Sequence, residues 1–271
     1  MNIKTTKNLF YTAAFLAGLY SVSYGNLLTL NTFQAFGSGG FTISGATESG
    51  ATVNYGADVG RNDVGLAAVI NTSSLTPFTQ VGDTLNYSFS LGSISAANNL
   101  STPVYRVGFD FGSTASLRYE TSVGTQPNLR FGSNTDGNPF ASGTTTSNEG
   151  DWSPYDFRAL RFDEGNEINA TVSLELVAFG ASTYDYKLSV TYTNGSVSNS
   201  KSYTFTGVNG DQVVSLFHAT NSSGLIDGDT YTISNASLEF AAAVPEPSTV
   251  AAIGGVLVFT VVLLRRRMRA R

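Results

Sequence analysis

The chain has 271 residues, with 15 lysines and arginines against 20 aspartates and glutamates, one histidine and no cysteine. The lack of cysteine excludes disulfides and thiol chemistry, and a single histidine excludes a two-histidine metal motif. Residues 26–243 carry 8 basic against 19 acidic side chains, a net −11, and a body that acidic is repelled by phosphate backbones, which argues against nucleic acid as a partner.

Residues 1–25 place Lys4 and Lys7 before an apolar stretch from Leu9 to Tyr20 and end on Ser23-Tyr24-Gly25. Basic, apolar, small-x-small is the order of a secretory signal peptide, and the apolar stretch is too short to span a membrane. Export, with cleavage by signal peptidase near Asn26, is the expectation. From there to residue 243 no second long apolar segment occurs, so 26–243 reads as one domain of all-β size.

Strict alternation follows. Leu85 to Leu91 and Tyr105 to Phe111 each put their apolar residues on one face, which predicts half-buried strands. Next come 172–176 and 184–192, with apolar residues at even positions. Asn194-Gly195 then supplies a two-residue hairpin turn before a strand over 202–206. Val213 to His218 also has a strand pattern, which makes His218 a structural histidine rather than a catalytic one. In the last predicted strand Tyr231 and Ile233 hold one phase and Ala236, Leu238 and Phe240 the other, so a β-bulge or a strand break is expected at Asn235. No body stretch of about ten residues or more shows a helical period. The predicted fold is an all-β antiparallel sandwich or jelly roll of about a dozen short strands. Its long final strands, with 231–240 following an Asp-Gly-Asp turn, resemble a concanavalin A-like lectin/glucanase sandwich; another jelly roll is the alternative.

Three kinds of body segment carry candidate chemistry. Asn134-Thr135-Asp136-Gly137-Asn138 and Asp227-Gly228-Asp229 offer the oxygen ligands that calcium takes, with Asp136, Asp227 and Asp229 as candidate ligands. The same Asp-Gly and Asn-Gly pairs are what tight turns demand. Glu149 to Arg158 holds the only tryptophan in a Gly/Pro-bounded loop. Trp152 and Tyr155 present faces for stacking on a sugar ring, with Asp151 and Asp156 as acceptors for its hydroxyls; alternatively Trp152 plugs the edge of the sandwich. Asp163-Glu164-Gly165-Asn166-Glu167 is the best cluster for the paired carboxylates of glycoside hydrolysis. Glucanases of the sandwich class carry Glu-x-Asp-x-x-Glu on one strand, and the matching positions here are Arg161, Asp163 and Asn166. Two of the three carboxylates are missing, so an acidic turn is the plainer reading. With no Gly-x-Ser-x-Gly elbow and no phosphate loop, no catalytic motif is present.

The chain ends on VPEPSTVAAIGGVLVFTVVLLRRRMRAR. Val250 to Leu264 is an uncharged run, about 22 Å long as a helix at about 1.5 Å per residue, against a bilayer core of about 30 Å. As a transmembrane helix it spans marginally, helped by Ser248, Thr249 and snorkelling arginines. Arg265, Arg266, Arg267, Arg269 and Arg271 keep this end cytoplasmic and leave the acidic body outside. Just ahead of it, Val244-Pro245-Glu246-Pro247 cannot be helical and stays extended, where a protease can grip it.

Pro-Glu-Pro, apolar helix and arginine cluster, in that order at the C-terminus, resemble the PEP-CTERM sorting signal of Gram-negative bacteria. The resemblance covers residues 244–271. It implies processing by an exosortase, a membrane-embedded cysteine transpeptidase, after transient anchoring in the inner membrane. It also implies a destination at the cell surface or in an exopolysaccharide and biofilm matrix. The expectation for the whole chain is an exported structural or adhesive protein, with carbohydrate binding as its candidate activity and extracellular polysaccharide as its candidate partner. A secreted, glycoside hydrolase-like carbohydrate-active enzyme is the alternative.

Overall fold

The computed structural model describes residues 25–37, 41–55, 63–92, 104–112, 115–122, 129–134, 167–195, 197–221, 230–243 and 260. Gly25–Ala241 forms one compact unit; the second unit, made of the two chain ends, falls almost wholly outside the described residues. The described strands are β1 (Asn26–Leu28), β2 (Gln34–Gly37), β3 (Phe41–Thr47), β4 (Gly50–Tyr55), β5 (Asp63–Val69), β6 (Thr84–Leu91) and β7 (Val104–Asp110). They continue with β8 (Ser116–Ser122), β9 (Leu129–Asn134), β10 (Ile168–Phe179), β11 (Tyr184–Asn194), β12 (Val197–Val208), β13 (Ser215–Asn221) and β14 (Thr230–Ala241).

These strands pair antiparallel into two sheets. One has eight strands in the order β12-β11-β10-β6-β14-β4-β3, with β1 also on β14; the other has six, in the order β2-β5-β13-β7-β8-β9. The fold is therefore an antiparallel β-sandwich, as the alternation predicted. Tyr87, Val172, Leu174, Leu188 and Ile233 from the larger sheet and Leu66, Val107, Phe109, Leu117 and Leu216 from the smaller one belong to a single buried core. Each fully buried side chain of this kind contributes about 1.5–3 kcal/mol.

The larger sheet follows the period-2 rule along most of its strands; β6 departs from it at Ser90, an outward position only 3% exposed. In β10 the even positions from Ile168 to Leu176 are buried and the odd ones are not. Its outward positions form rows of hydroxyls and amides across neighbouring strands. Ser88, Thr171, Thr191 and Ser200 make one row, tied by Ser88–Thr171 and Thr191–Ser200 hydrogen bonds of 3.0 and 2.7 Å. Asn86, Ser173, Ser189 and Ser202 make the next, where the Ser173 hydroxyl donates to Asn86 Oδ1 at 2.5 Å. Ser90, Asn169, Thr193 and Ser198 make a third, with the Ser90 hydroxyl donating to Asn169 Oδ1 at 2.7 Å.

The phase change foreseen near Asn235 is a β-bulge. The register of β14 against β6 shifts between Ser234 and Ser237, and Asn235 sits in the left-handed region at φ 53°, which Asn tolerates better than most residues. Its Nδ2 donates to Ser90 Oγ at 3.2 Å. The bulge also divides the other edge of β14, since β4 pairs with Thr230–Ile233 before it and β1 with Leu238–Phe240 after it. The hairpin between β11 and β12 lies one residue later than expected. Asn194 still pairs with Val197, so the connection is 195–196, with Gly195 at φ 56°, and β12 begins at Val197 rather than 202.

Candidate functional site

Most of the residues singled out from the sequence lie outside the described residues. These are Asp136, Asp151, Trp152, Tyr155, Asp156, Asp227 and Asp229, together with Asp163 to Asn166, Val244 to Pro247, the apolar run 250–264 apart from Thr260, and the five terminal arginines. The last acidic residue of its cluster, Glu167, is described and exposed, one position ahead of β10. Among the described residues no group of three His, Asp or Glu is placed to hold a metal ion, and no helix is long and apolar enough to cross a membrane.

His218 on β13 is fully enclosed at 0% exposure and faces the core between the two sheets. Its Nε2 is 2.5 Å from the Tyr87 hydroxyl on β6 of the other sheet, and its Nδ1 is 2.6 Å from the Tyr105 hydroxyl on β7. Phe89 meets it edge to face at 4.7 Å between centroids. A neutral imidazole donates from one nitrogen and accepts at the other, which suits two hydroxyl partners. Burial pushes its pKa down to about 3, because charging it there forfeits hydration. His218 joins the sheets, and both nitrogens are occupied.

The six-stranded sheet departs from the expectation of half-buried strands. On β7, Tyr105, Val107 and Phe109 face the core, yet Arg106 at 6% exposure and Gly108 on the opposite face are buried as well. The same holds on β8, where Arg118 is 3% exposed, and on β13, where Phe217 and Ala219 are enclosed. The register aligns Phe217 with Gly108 and Gly108 with Arg118. A Cβ on Gly108 would stand 2.3 Å from the Leu117 carbonyl oxygen and 2.7 Å from Phe217 Cζ, so the Phe217 ring lies across the glycine. Phe36 lies over Gly65 in the same way, its Cζ 2.9 Å from where a Cβ would be.

The next row on this second face is Ser215, Asp110 and Ser116. Asp110 Oδ1 accepts from the Gly112 amide at 2.9 Å, and Oδ2 accepts from the Ser215 hydroxyl at 3.1 Å. Both bonds favour the carboxylate, but burial outweighs them and raises the pKa of Asp110 to about 6. Ser116 Oγ is wholly buried and has no hydrogen-bond partner among the described residues. Such a hydroxyl is uncommon in a folded protein. The face thus combines an aromatic ring, two guanidinium groups, a carboxylate and a hydroxyl without a partner among the described residues; the ring, the guanidinium groups and the hydroxyl are at most 6% exposed, and of the set Asp110 alone is partly open. Sequence reading missed it because Arg106 and Arg118 alternate with apolar residues and look solvent-facing. The available signal was the nearly continuous apolar run Val213 to Ala219, the mark of a strand buried on both faces.

An antiparallel β-sandwich with one polar, doubly enclosed sheet is as far as fold and site define the class. No protein-family model matches this chain, and no curated protein matches it either. Similar solved structures include a PL-14 alginate lyase from Aplysia kurodai, at 10% identity and TM-score 0.44 over 77% of this chain and 90% of that one. They also include arcelin-5, a lectin-like defense protein from Phaseolus vulgaris, at 13% identity and TM-score 0.45 over 81% and 99%. The Lotus tetragonolobus seed lectin matches at 13% identity and TM-score 0.41 over 83% and 100%. At these values no residue role or activity passes from them to this chain.

Proposed function

We propose that this chain is an exported protein of the cell surface or extracellular matrix, sorted by exosortase through residues 244–271, whose sandwich binds polysaccharide. The observation that carries the reading is the fixed C-terminal order of Pro245-Glu246-Pro247, an uncharged run and five arginines. Intact-mass measurement of the protein from its native host tests it. Loss of residues 1–25 and of most residues after Val244 is expected, and Arg271 in the surface form overturns exosortase sorting.

The binding half of the reading rests on the second face of the six-stranded sheet. Ser116→Ala probes it, because a buried hydroxyl without a partner contributes nothing to stability, while its removal takes a hydrogen bond from any ligand that enters this enclosed face. The variant should melt no lower than wild type and lose about fivefold in retention on the host's own polysaccharide. Equal retention removes this face as the site and leaves the Trp152 loop. One observation favours a carbohydrate-active enzyme as a second reading, namely that Asp110, with its pKa raised to about 6, is in the range of a general acid or base at neutral pH. Release of new reducing ends or of unsaturated sugars from that polysaccharide, abolished by Asp110→Asn, supports it; no release removes it.

A further inference from the structure

The outer face of the eight-stranded sheet differs from an ordinary solvated face. Soluble protein surfaces are typically about 25–35% charged, yet the three rows running from β12 through β11 and β10 to β6 contain only Ser, Thr and Asn. Charge is confined to the margin, where Lys187 pairs with Glu175 at 3.8 Å and Glu239 stands opposite Asn86 on β14. An uncharged field of this kind sits on a body of net charge −11.

The field is also ordered. Neighbouring side chains of one row hydrogen-bond across strands, as between Ser88 and Thr171 and between Thr191 and Ser200. Each hydroxyl held this way keeps further donor or acceptor capacity pointing outward. Successive members of a row are about 4.7–4.9 Å apart, and rows are about 6.8 Å apart. The first spacing is close to the repeat of a pyranose unit along an extended chain. Each row ends at Ser198, Ser200 or Ser202 on β12, the edge strand among the described residues, so among those residues nothing walls off the end of a row.

We infer that this face is a second polysaccharide-binding surface, separate from the six-stranded sheet, and that its ligand is a neutral polysaccharide chain lying across the strands along the hydroxyl rows. Charge selects the class. An acidic polymer is repelled by the net charge of the body and by Glu239, Glu175 being offset by Lys187, and a cationic one is drawn to the acidic side chains elsewhere, whereas a neutral chain meets matching hydroxyls with no ionic penalty. Pre-ordered hydroxyls lower the entropy lost on binding, which lets many weak bonds add up. The inference rests on the proposed function only in that the chain meets polysaccharide outside the cell.

Affinity electrophoresis of the full chain in gels containing soluble neutral β-glucan or galactomannan, with alginate as the acidic counterpart, tests it. Wild type should be retarded by a neutral polymer and not by alginate. Thr171→Glu combined with Ser200→Glu should weaken that retardation at least tenfold at an unchanged melting temperature, while Thr42→Glu, the same charge placed on β3, should not. Ser116→Ala should leave it intact even where retention on the host polysaccharide is lost, which keeps the two faces distinguishable. Free migration of wild type in both neutral gels overturns the inference, as does equal retardation of the double variant or retardation by alginate alone. A wild-type dimer in sedimentation velocity that the double variant dissolves assigns the face to a second copy of the chain instead.

Discussion

The two sheets of this sandwich solve the same problem differently. The eight-stranded sheet buries one face and gives most of the other to water through Ser, Thr and Asn, so its strands follow a period of two, broken at Ser90 in β6 and at the bulge in β14. The six-stranded sheet encloses both faces, and its central strands compensate with glycines under aromatic rings and with polar groups that a core ordinarily rejects. The difference teaches that enclosure does not imply an apolar filling. A sheet with two hidden faces needs only one of them for cohesion, and the other is free to carry Arg106, Arg118, Asp110 and Ser116.

Four experiments break or sharpen this contrast. The largest effect concerns the histidine that joins the sheets. Its folded pKa of about 3 lies below the unfolded value near 6.5, so its contribution is fully present above pH 6.5 and is lost as the pH falls toward 3. The loss amounts to about 5 kcal/mol. Asp110 has the opposite sign, because its pKa rises from 3.8 to about 6 on folding; its contribution is present below pH 3.8 and lost as the pH rises through 6. Urea titrations from pH 7 to 3 should show wild type weakening steeply and His218→Gln much less. Identical slopes would mean that His218 is not the acid-sensitive link.

The one-faced character of the larger sheet comes next. Leu174→Ala should cost about 2–5 kcal/mol, and Thr171→Ala, three positions earlier on the opposite face of β10, no more than about 0.5 kcal/mol. Comparable urea midpoints for the two would refute the alternation. For the two-faced sheet, Gly108→Ala should cost about 1–3 kcal/mol through overpacking against the Leu117 carbonyl and the Phe217 ring, with a matching fall in melting temperature. A variant as stable as wild type shows that this face is loosely covered. The smallest effect is at the bulge, where Asn235→Ala should cost about 1 kcal/mol for the left-handed backbone and Asn235→Gly almost nothing. Equal costs, read by thermal melting, would place the penalty in the Ser90 hydrogen bond instead.

What the sequence displayed and what it hid follow from the same contrast. β6, β10, β11 and the bulge in β14 were legible because a strand with one wet face writes its orientation into every second residue. β7 was misread as half-buried, and β8 went unread, because a buried arginine and an exposed one look alike in sequence, and only their neighbours across the sheet, Ala219 and Gly108, tell them apart. The hydroxyl rows escaped notice for another reason. Ser200, Thr191, Thr171 and Ser88 are scattered over 113 positions of chain and become a row only through the register. The Trp152 loop, the calcium candidates and the sorting tail were read from local composition alone, and they lie outside the described residues.

One feature of β14 bears on how the body carries load. The strand ends at Ala241, two residues short of the tail, and it is bonded along one edge to β6 and along the other to β4 and then β1. Tension applied beyond Ala241 along the strand axis is therefore shared by both edges at once. The hydrogen bonds are strained in shear, all together, instead of parting one after another as in a peeled edge strand. The first strand of the body, β1, lies against the final residues of β14 and acts as a clasp at the point where such a pull begins. Removing three residues at the start of the body would lower its resistance to force at the opposite end of its sequence.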